Sequence, residues 1–179
     1  MTDGPRLRHE WTFLAQVATD IHGKRAATYP AHVAGGRMSQ ADADTALASI
    51  AAIAADWRIA ADGIAPLSSD RGVSRSARIA TLTIARDRSA ALADKAATAY
   101  RKALPAKADL PDRDPLLSDH REDRPMSSVA EAWVRAVDYA AAVAAMLWWE
   151  ERRSGRLDVV CAINAELRAA QRADQAKAA

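Results

Sequence analysis

The chain has 179 residues, which is enough for one domain with its own core, and half of its residues are apolar. Its net charge of +2 is too small to predict nucleic-acid binding by itself, and its single cysteine, Cys161, excludes an internal disulfide. The most apolar run, residues 140–149, is too short to cross a bilayer, and the first residues lack the apolar run of a signal peptide. These features predict a cytoplasmic protein without a membrane partner.

Alanine supplies much of the apolar content, whereas aromatic residues make up only 5% of the chain. Because alanine is the best helix former, this composition favours helices over strands. The predicted fold class is all-α: an Ala-rich bundle of about five helices with one long Pro-rich connection.

The first predicted helix begins near Pro5 or Arg6 and reaches about Thr28, just before the pair Tyr29-Pro30. Proline lacks the N–H donor and its ring clashes with the preceding turn, so Pro30 is predicted to stop this helix. Apolar residues recur at steps of three and four, which is the spacing of a buried helical stripe. The stripe consists of Leu7, Trp11, Leu14, Ala18 and Ile21, and it loses its apolar character at Arg25.

A tight helical corner is predicted over residues 29–39. Gly35 and Gly36 end a short turn there, since glycine adopts the left-handed conformation at little cost. Ser39 is a good N-cap for a second helix, and Asp42 adds a negative charge that suits a helix N-terminus. The inward stripe of this second helix is Ala43, Ala46, Leu47, Ile50, Ile53, Ala54, Trp57, Ala60 and Ala61.

The pattern of this corner resembles a short segment of small uncharacterised proteins from prophages and other mobile elements. The resemblance lies within residues 29–61 and implies the context of a mobile-element accessory protein. It brings no catalytic residues, because each matching residue has a turn, cap or packing role. The matching residues are Tyr29, Pro30, Val33, Gly36, Arg37, Met38, Ser39, Gln40, Ala43, Asp44, Ile50 and Ile53.

A third helix is predicted from about Arg75 to Leu104, with Ser74 or Ser76 as its cap. Residues 79–84 are rich in β-branched side chains and also fit a strand. No partner strand is predicted, which favours the helix. Its inward stripe is Ile79, Leu82, Ser89, Leu92 or Ala93, Ala96, Ala99 or Tyr100, and Ala103 or Leu104.

A proline-rich stretch divides the chain into its predicted regions. Residues 105–126 contain four prolines and a dense mixture of acids and bases, which predicts a linker or an extended surface loop. The linker joins an N-terminal three-helix region, residues 1–104, to a C-terminal helical hairpin, residues 127–179. The hairpin is predicted to pack on the first region, giving a single domain overall.

Two helices are predicted in the C-terminal hairpin. Ser128 and Glu131 form a capping box that opens the fourth helix, which runs to about Arg153. A fifth helix runs from about Leu157 toward the end of the chain. The buried stripe of the fourth helix is Val129, Trp133, Ala136, Val137, Ala140, Val143, Ala144 and Leu147.

No catalytic signature occurs in the sequence. The four histidines lack the spacing of a helical metal site, and there is no phosphate loop, nucleotide fingerprint or nucleophile elbow. Cys161 follows Val160 on a predicted helix and is interpreted as a small buried residue. The chain is therefore predicted to be no enzyme and to need no cofactor or metal. An enzyme whose catalytic site is assembled only by the folded structure remains a further hypothesis, besides the two functions given below.

A basic stretch, residues 71–88, is one candidate functional site. Five arginines minus one aspartate give it a local charge of +4, so it is predicted to contact nucleic-acid phosphates with strong salt dependence. Residues 72–79 also resemble the turn and second helix of helix-turn-helix proteins, although Pro66 and Arg78 depart from that pattern. The other interpretation is a solvated arginine-rich helix end. The arginines are Arg71, Arg75, Arg78, Arg86 and Arg88.

The other candidate site is a protein-binding hot spot formed by Met146, Trp148 and Trp149. Adjacent helical residues point about 100° apart, so one tryptophan can be buried while the other lies at an edge. The other interpretation is that both cover the small Ala-rich helices.

Two functions follow from these candidate sites. The first is a non-enzymatic helical accessory protein of a phage or mobile element that binds a protein partner. The alternative is a nucleic-acid-binding accessory protein that contacts phosphates through the arginines of residues 71–88. A homodimer is the preferred assembly, because Ala-rich helix faces favour self-association.

Overall fold

The computed structural model describes residues 4–62, 72–103 and 128–152, and every regular element within these ranges is an α-helix. The prediction of an all-α fold is thus confirmed. The predicted linker and fifth helix lie outside the described residues. The four helices of the described ranges are α1 Trp11–Ala34, α2 Gln40–Asp62, α3 Arg75–Ala103 and α4 Ser128–Arg152.

The helices associate as two antiparallel pairs, α1 with α2 and α3 with α4. Trp11 at the start of α1 stacks on Trp57 near the end of α2, with ring centroids 6.3 Å apart. Arg75 at the start of α3 donates to the main-chain carbonyls of Glu150 and Glu151 at the end of α4, at 3.0 and 2.6 Å. Smaller contacts of α1 with α4 and of α2 with α3 join the pairs into a bundle.

The first helix begins later than the sequence predicts. Two turns precede it: the Arg8 N–H donates to the Pro5 carbonyl at 3.2 Å, and the Glu10 N–H donates to the Leu7 carbonyl at 3.1 Å. Helical bonding starts with Trp11, so the predicted start near Pro5 is wrong. Leu7 still packs against the core from these turns.

The predicted stop at Pro30 is also wrong, because α1 continues through Pro30 to Ala34. The proline ring is exposed, so it displaces no packed neighbour, although it removes one helical hydrogen bond. The preceding Tyr29 is buried and supports the helix at this turn. Tertiary packing therefore outweighs the local preference of the proline.

The predicted corner is confirmed only from Gly35 onward, because residues 30–34, predicted as a separate short turn, belong to the end of α1. The Gly35 N–H donates to the Ala31 carbonyl at 3.1 Å, and Gly36 has a left-handed φ of 67° that glycine adopts easily. Ser39 then caps α2, since its Oγ accepts a hydrogen bond from the Asp42 N–H at 3.1 Å and donates to the Asp42 carboxylate at 2.7 Å. The serine hydroxyl thus fixes where the second helix begins.

Serine capping also sets the start of α3. Ser74 Oγ accepts a hydrogen bond from the Ala77 N–H at 3.2 Å, so Ser74 is the cap of the two predicted candidates. Residues 79–84 lie in the interior of this helix, and the alternative strand is wrong. None of the helices in the described ranges is long and apolar enough to cross a membrane.

The main core lies where all four helices meet. Small residues let the helices approach closely, and a few large side chains fill the remaining space. Within the described residues, a second cluster is formed by α3 and α4, where the rings of Tyr100 and Trp133 stack with centroids 5.0 Å apart. Completely buried large side chains of the main core include Leu14, Ile50, Ile53, Trp57, Leu82, Val143, Met146 and Trp149.

Candidate functional site

A buried ionic cluster joins three of the helices. Arg78 of α3 donates from Nε to Glu150 Oε1 of α4 at 2.8 Å and from Nη2 to Asp56 Oδ2 of α2 at 2.5 Å. The side chains of Arg78 and Glu150 are 0% exposed, and that of Asp56 is 3% exposed. The cluster therefore fixes the position of α3 against both of its neighbours.

Electrostatics keep the guanidinium of this cluster charged. Burial lowers the pKa of Arg78, but the charges and hydrogen bonds of Glu150 and Asp56 outweigh burial and raise the pKa above its usual value. The Nη1 group of Arg78 has no hydrogen-bond partner among the described residues. Because no substrate can reach side chains that are this deeply buried, we interpret the cluster as structural.

The burial of Arg78 changes the arginine site that the sequence predicts. Arg78 does not lie on a surface, and the guanidinium of Arg75 is bonded to the α4 carbonyls. Arg86 is exposed but paired with Asp87 at 2.9 Å, while Arg88 is exposed beside a cavity. Arg71 lies outside the described residues. The four described arginines are therefore divided among different environments and form no single exposed row.

The tryptophan site follows its prediction in the placement of the two rings but not as a hot spot of three residues. Met146 and Trp149 are buried, and the indole Nε1 of Trp149 donates to the Arg8 carbonyl at 2.9 Å. Trp148 is half-buried at the edge, with the guanidinium of Arg152 lying 3.9 Å from its ring centroid. One tryptophan is thus buried and the other lies at the edge, and the two buried members offer no surface to a partner.

A cavity of about 150 Å³ opens between α1, α3 and α4. The sequence gives no motif for this cavity, because its lining residues come from three helices. The only local signal was Arg25, which continues the apolar stripe of α1. The cavity is lined by Ile21, Lys24, Arg25, Ala85, Arg88, Ser89, Leu92 and Tyr139.

Arg25 is the most unusual side chain of this cavity. It is only 7% exposed, yet its one hydrogen bond within the described ranges runs from Nη2 to the Thr81 carbonyl at 3.2 Å. Burial lowers the pKa of Arg25; Tyr29 and Tyr139 partly oppose this effect, and the nearby positive charge of Arg88 adds to it. No carboxylate of the described residues pairs with Arg25, which is uncommon for a buried cation.

The other polar groups of the cavity are already bonded. The Tyr139 hydroxyl donates to Asp20 Oδ2 at 2.7 Å, and Lys24 Nζ lies 2.6 Å from the same oxygen. Burial, together with the bond to Asp20, raises the pKa of Tyr139, so its phenol remains protonated. Ser89 donates to the Arg86 carbonyl at 2.9 Å. Arg25 and Arg88 are therefore the cations at this cavity that lack an acidic partner among the described residues.

An exposed apolar ridge borders the cavity on α3. Ile84 and Leu92 are 52% and 61% exposed, and they are the large hydrophobic side chains that stand out on the surface of the described ranges. They lie four residues before and after Arg88, so the three residues share one side of the helix. We call Ile84, Arg88 and Leu92 the α3 ridge.

Metal binding gains no candidate from the structure. No group of three or more histidine, cysteine or carboxylate side chains is assembled in the residues that the structure describes. His120 and Cys161 lie outside those residues, so the expectation of no metal stays a prediction.

A comparison with known proteins finds no family model, no curated protein and no solved structure that matches this chain.

Proposed function

We propose that this chain is a non-enzymatic interaction protein that binds a protein partner through the α3 ridge. The observation that carries the proposal is the exposure of Ile84 and Leu92 on either side of Arg88. Single exposed apolar residues are ordinary on protein surfaces, but two that flank a cation beside a cavity form a small recognition surface. The resemblance of residues 29–61 to prophage segments supports a mobile-element context for this function.

The charge of the ridge indicates what kind of protein it binds. Arg88 is exposed, and Lys24 and Arg25 lie at the adjoining cavity. A partner segment with an acidic side chain between two apolar ones complements this pattern. A second copy of the chain presents the same positive charges, so a homodimer would form through another face.

Site-specific photo-crosslinking in cells that naturally express the protein tests this proposal. We expect a photoreactive residue at Leu92 to capture one discrete protein, and Leu92→Asp to prevent the association without altering the helical circular dichroism. Thr98 is the matched control, because it is exposed on α3 but points about 120° away from Leu92. The same products from both positions, or no protein product from Leu92, would contradict the proposal.

Phosphate-backbone binding to nucleic acid is the second candidate function. It is supported by the exposure of Arg86 and Arg88, which point about 160° apart around α3 and so offer two separate phosphate contacts rather than one face. Fluorescence anisotropy of labelled DNA and RNA at about 50 and 200 mM salt tests it, since loss of phosphate contacts flattens the salt dependence. Binding that is steeply salt-dependent and reduced by Arg86→Gln and Arg88→Gln would favour this candidate over the first. Absence of binding at the lower salt concentration would remove it.

A further inference from the structure

We propose that the cavity between α1, α3 and α4 binds an organic carboxylate with a short apolar tail. The carboxylate lies between Arg25 and Arg88, and the tail packs against Ile21, Leu92 and the ring of Tyr139. This small-molecule site goes beyond the proposed protein interaction. It shares Arg88 and Leu92 with the α3 ridge, but its test uses the isolated protein and does not depend on a protein partner.

The first argument is the charge around the cavity. Lys24 is compensated by Asp20, whereas Arg25 and Arg88 have no acidic partner among the described residues. A guanidinium presents a planar set of donors that matches the two oxygens of a carboxylate. An anion between these two arginines would supply the missing opposite charge and accept the hydrogen bonds that Arg25 does not make internally.

The second argument is the depth of Arg25. More than nine-tenths of this residue is buried, and the Thr81 carbonyl satisfies one of its donors at 3.2 Å. A neutral carbonyl does not balance the charge of a buried guanidinium. An aliphatic residue in place of Arg25 would avoid this desolvation cost, whereas a bound anion would offset it.

The third argument is the size and chemistry of the walls. Ile21, Ala85, Leu92 and the Tyr139 ring give the cavity an apolar interior, and its volume of about 150 Å³ is that of a space that accommodates a benzene-sized group. A bare inorganic anion would leave these walls without contacts. The combination of two cations and an apolar interior therefore selects an amphiphilic anion of small size.

The decisive experiment is a titration of the full-length, isotope-labelled protein followed by NMR. The probes are hexanoate and benzoate, with hexanol, hexylammonium and inorganic phosphate as controls for the tail, the charge sign and the anion alone. We expect the two carboxylates to shift the backbone signals of Ile21 and Ser89 and the guanidinium signals of Arg25 and Arg88. The three controls should bind at least about tenfold more weakly, because each lacks one half of the recognition.

Variants separate the site from a general effect of charge. Arg88→Gln should weaken hexanoate binding about tenfold, since it removes one charge-assisted contact. Arg86→Gln is the matched control, because Arg86 is a neighbouring exposed arginine that does not line the cavity, and it should leave binding unchanged. Arg25→Gln should have an effect as large as that of Arg88→Gln. If Arg25→Gln does not fold, Arg88→Gln with its control Arg86→Gln still decides the question.

Four results would overturn the inference. The first is no NMR shift with hexanoate up to about 50 mM, the range in which so small a ligand binds. The second and third are that hexanol, or inorganic phosphate, binds as tightly as hexanoate. The fourth is that Arg86→Gln and Arg88→Gln lose the same affinity for hexanoate. Equal binding of hexanol would reduce the site to an apolar cavity. If phosphate bound as tightly as hexanoate, the site would be only a positively charged surface without selectivity for an apolar tail.

Discussion

Arg25 and Arg78 are both buried arginines, but their surroundings give them different roles. Arg78 has two carboxylates within 2.8 Å of its guanidinium and is completely enclosed. Arg25 has one main-chain carbonyl and lies at an opening. Arg78 is thus compensated within the bundle and joins its helices, whereas no carboxylate of the described residues compensates Arg25 at the cavity.

The structural role of Arg78 predicts a large loss of stability in Arg78→Met. Removing the guanidinium takes away the buried positive charge that Asp56 and Glu150 share, and we expect the free energy of unfolding to fall by about 3–5 kcal/mol. Chemical denaturation measures this loss. Arg75→Met is the control, because Arg75 bonds only to carbonyls at a partly exposed position, and its effect should be much smaller. Equal losses of unfolding free energy in the two variants would show that the buried cluster contributes no more to stability than the surface contacts of Arg75.

The residues of this cluster could have been found only in part from the sequence. Asp56, Arg78 and Glu150 each fall within a buried stripe, at helical spacing from Ile53, Leu82 and Met146 respectively. Periodicity alone treats such charges as breaks in the stripe. Opposite charges on the buried faces of three helices were a usable signal, but their pairing depends on how those helices dock.

At the scale of single helices, local chemistry predicts the ends better than the interiors. Ser39, Ser74 and Gly36 lie where cap and turn chemistry predicts them, because a cap depends on a few adjacent residues. Pro30 was misjudged, since the buried Tyr29 lets the helix continue. The late start at Trp11 was missed for a similar reason, because the turns around Leu7 also bury apolar surface.

Two glycines of the first helical pair predict opposite effects on stability. In Gly36→Ala the new methyl group meets no neighbour, so the cost is the left-handed backbone alone, and we expect a loss of about 1–2 kcal/mol. In Gly23→Ala the site is equally open but lies inside α1, and we expect a gain of about 0.5–1 kcal/mol. Thermal unfolding of the two variants measures both effects. A loss of stability in Gly23→Ala would contradict the exposed helical position of this residue.

At the scale of the whole molecule, the all-α class follows from composition, but the arrangement of the core does not. All four described helices build the main core, whereas among them only α3 and α4 contribute to the Tyr100–Trp133 cluster. The sequence predicts similar stripes along the full length of both helices. Only docking shows that, among the described helices, α1 and α2 cover one end of this pair and not the other.

This unequal support predicts unequal local stability along α3 and α4. Amides near Tyr100 and Trp133 should exchange with solvent faster than those near Leu82 and Val143, since fewer buried contacts hold the first region. Hydrogen-exchange mass spectrometry measures the difference. Trp133→Ala should accelerate exchange around Tyr100 while leaving Leu14 and Ile50 protected. Equal acceleration everywhere would mean that the bundle opens as one unit.

The tryptophans give the molecule two optical reporters. Trp11 lies 6.3 Å from Trp57 and 5.9 Å from Trp149, which in turn meets Trp148 edge-on at 4.9 Å. Trp133 is instead stacked on Tyr100 in the other cluster. Rings this close couple their electronic transitions and share excitation energy, so the near-ultraviolet circular dichroism is dominated by the group of four. The emission of Trp133, isolated by comparing the protein with Trp133→Phe, reports separately on the far end of the bundle.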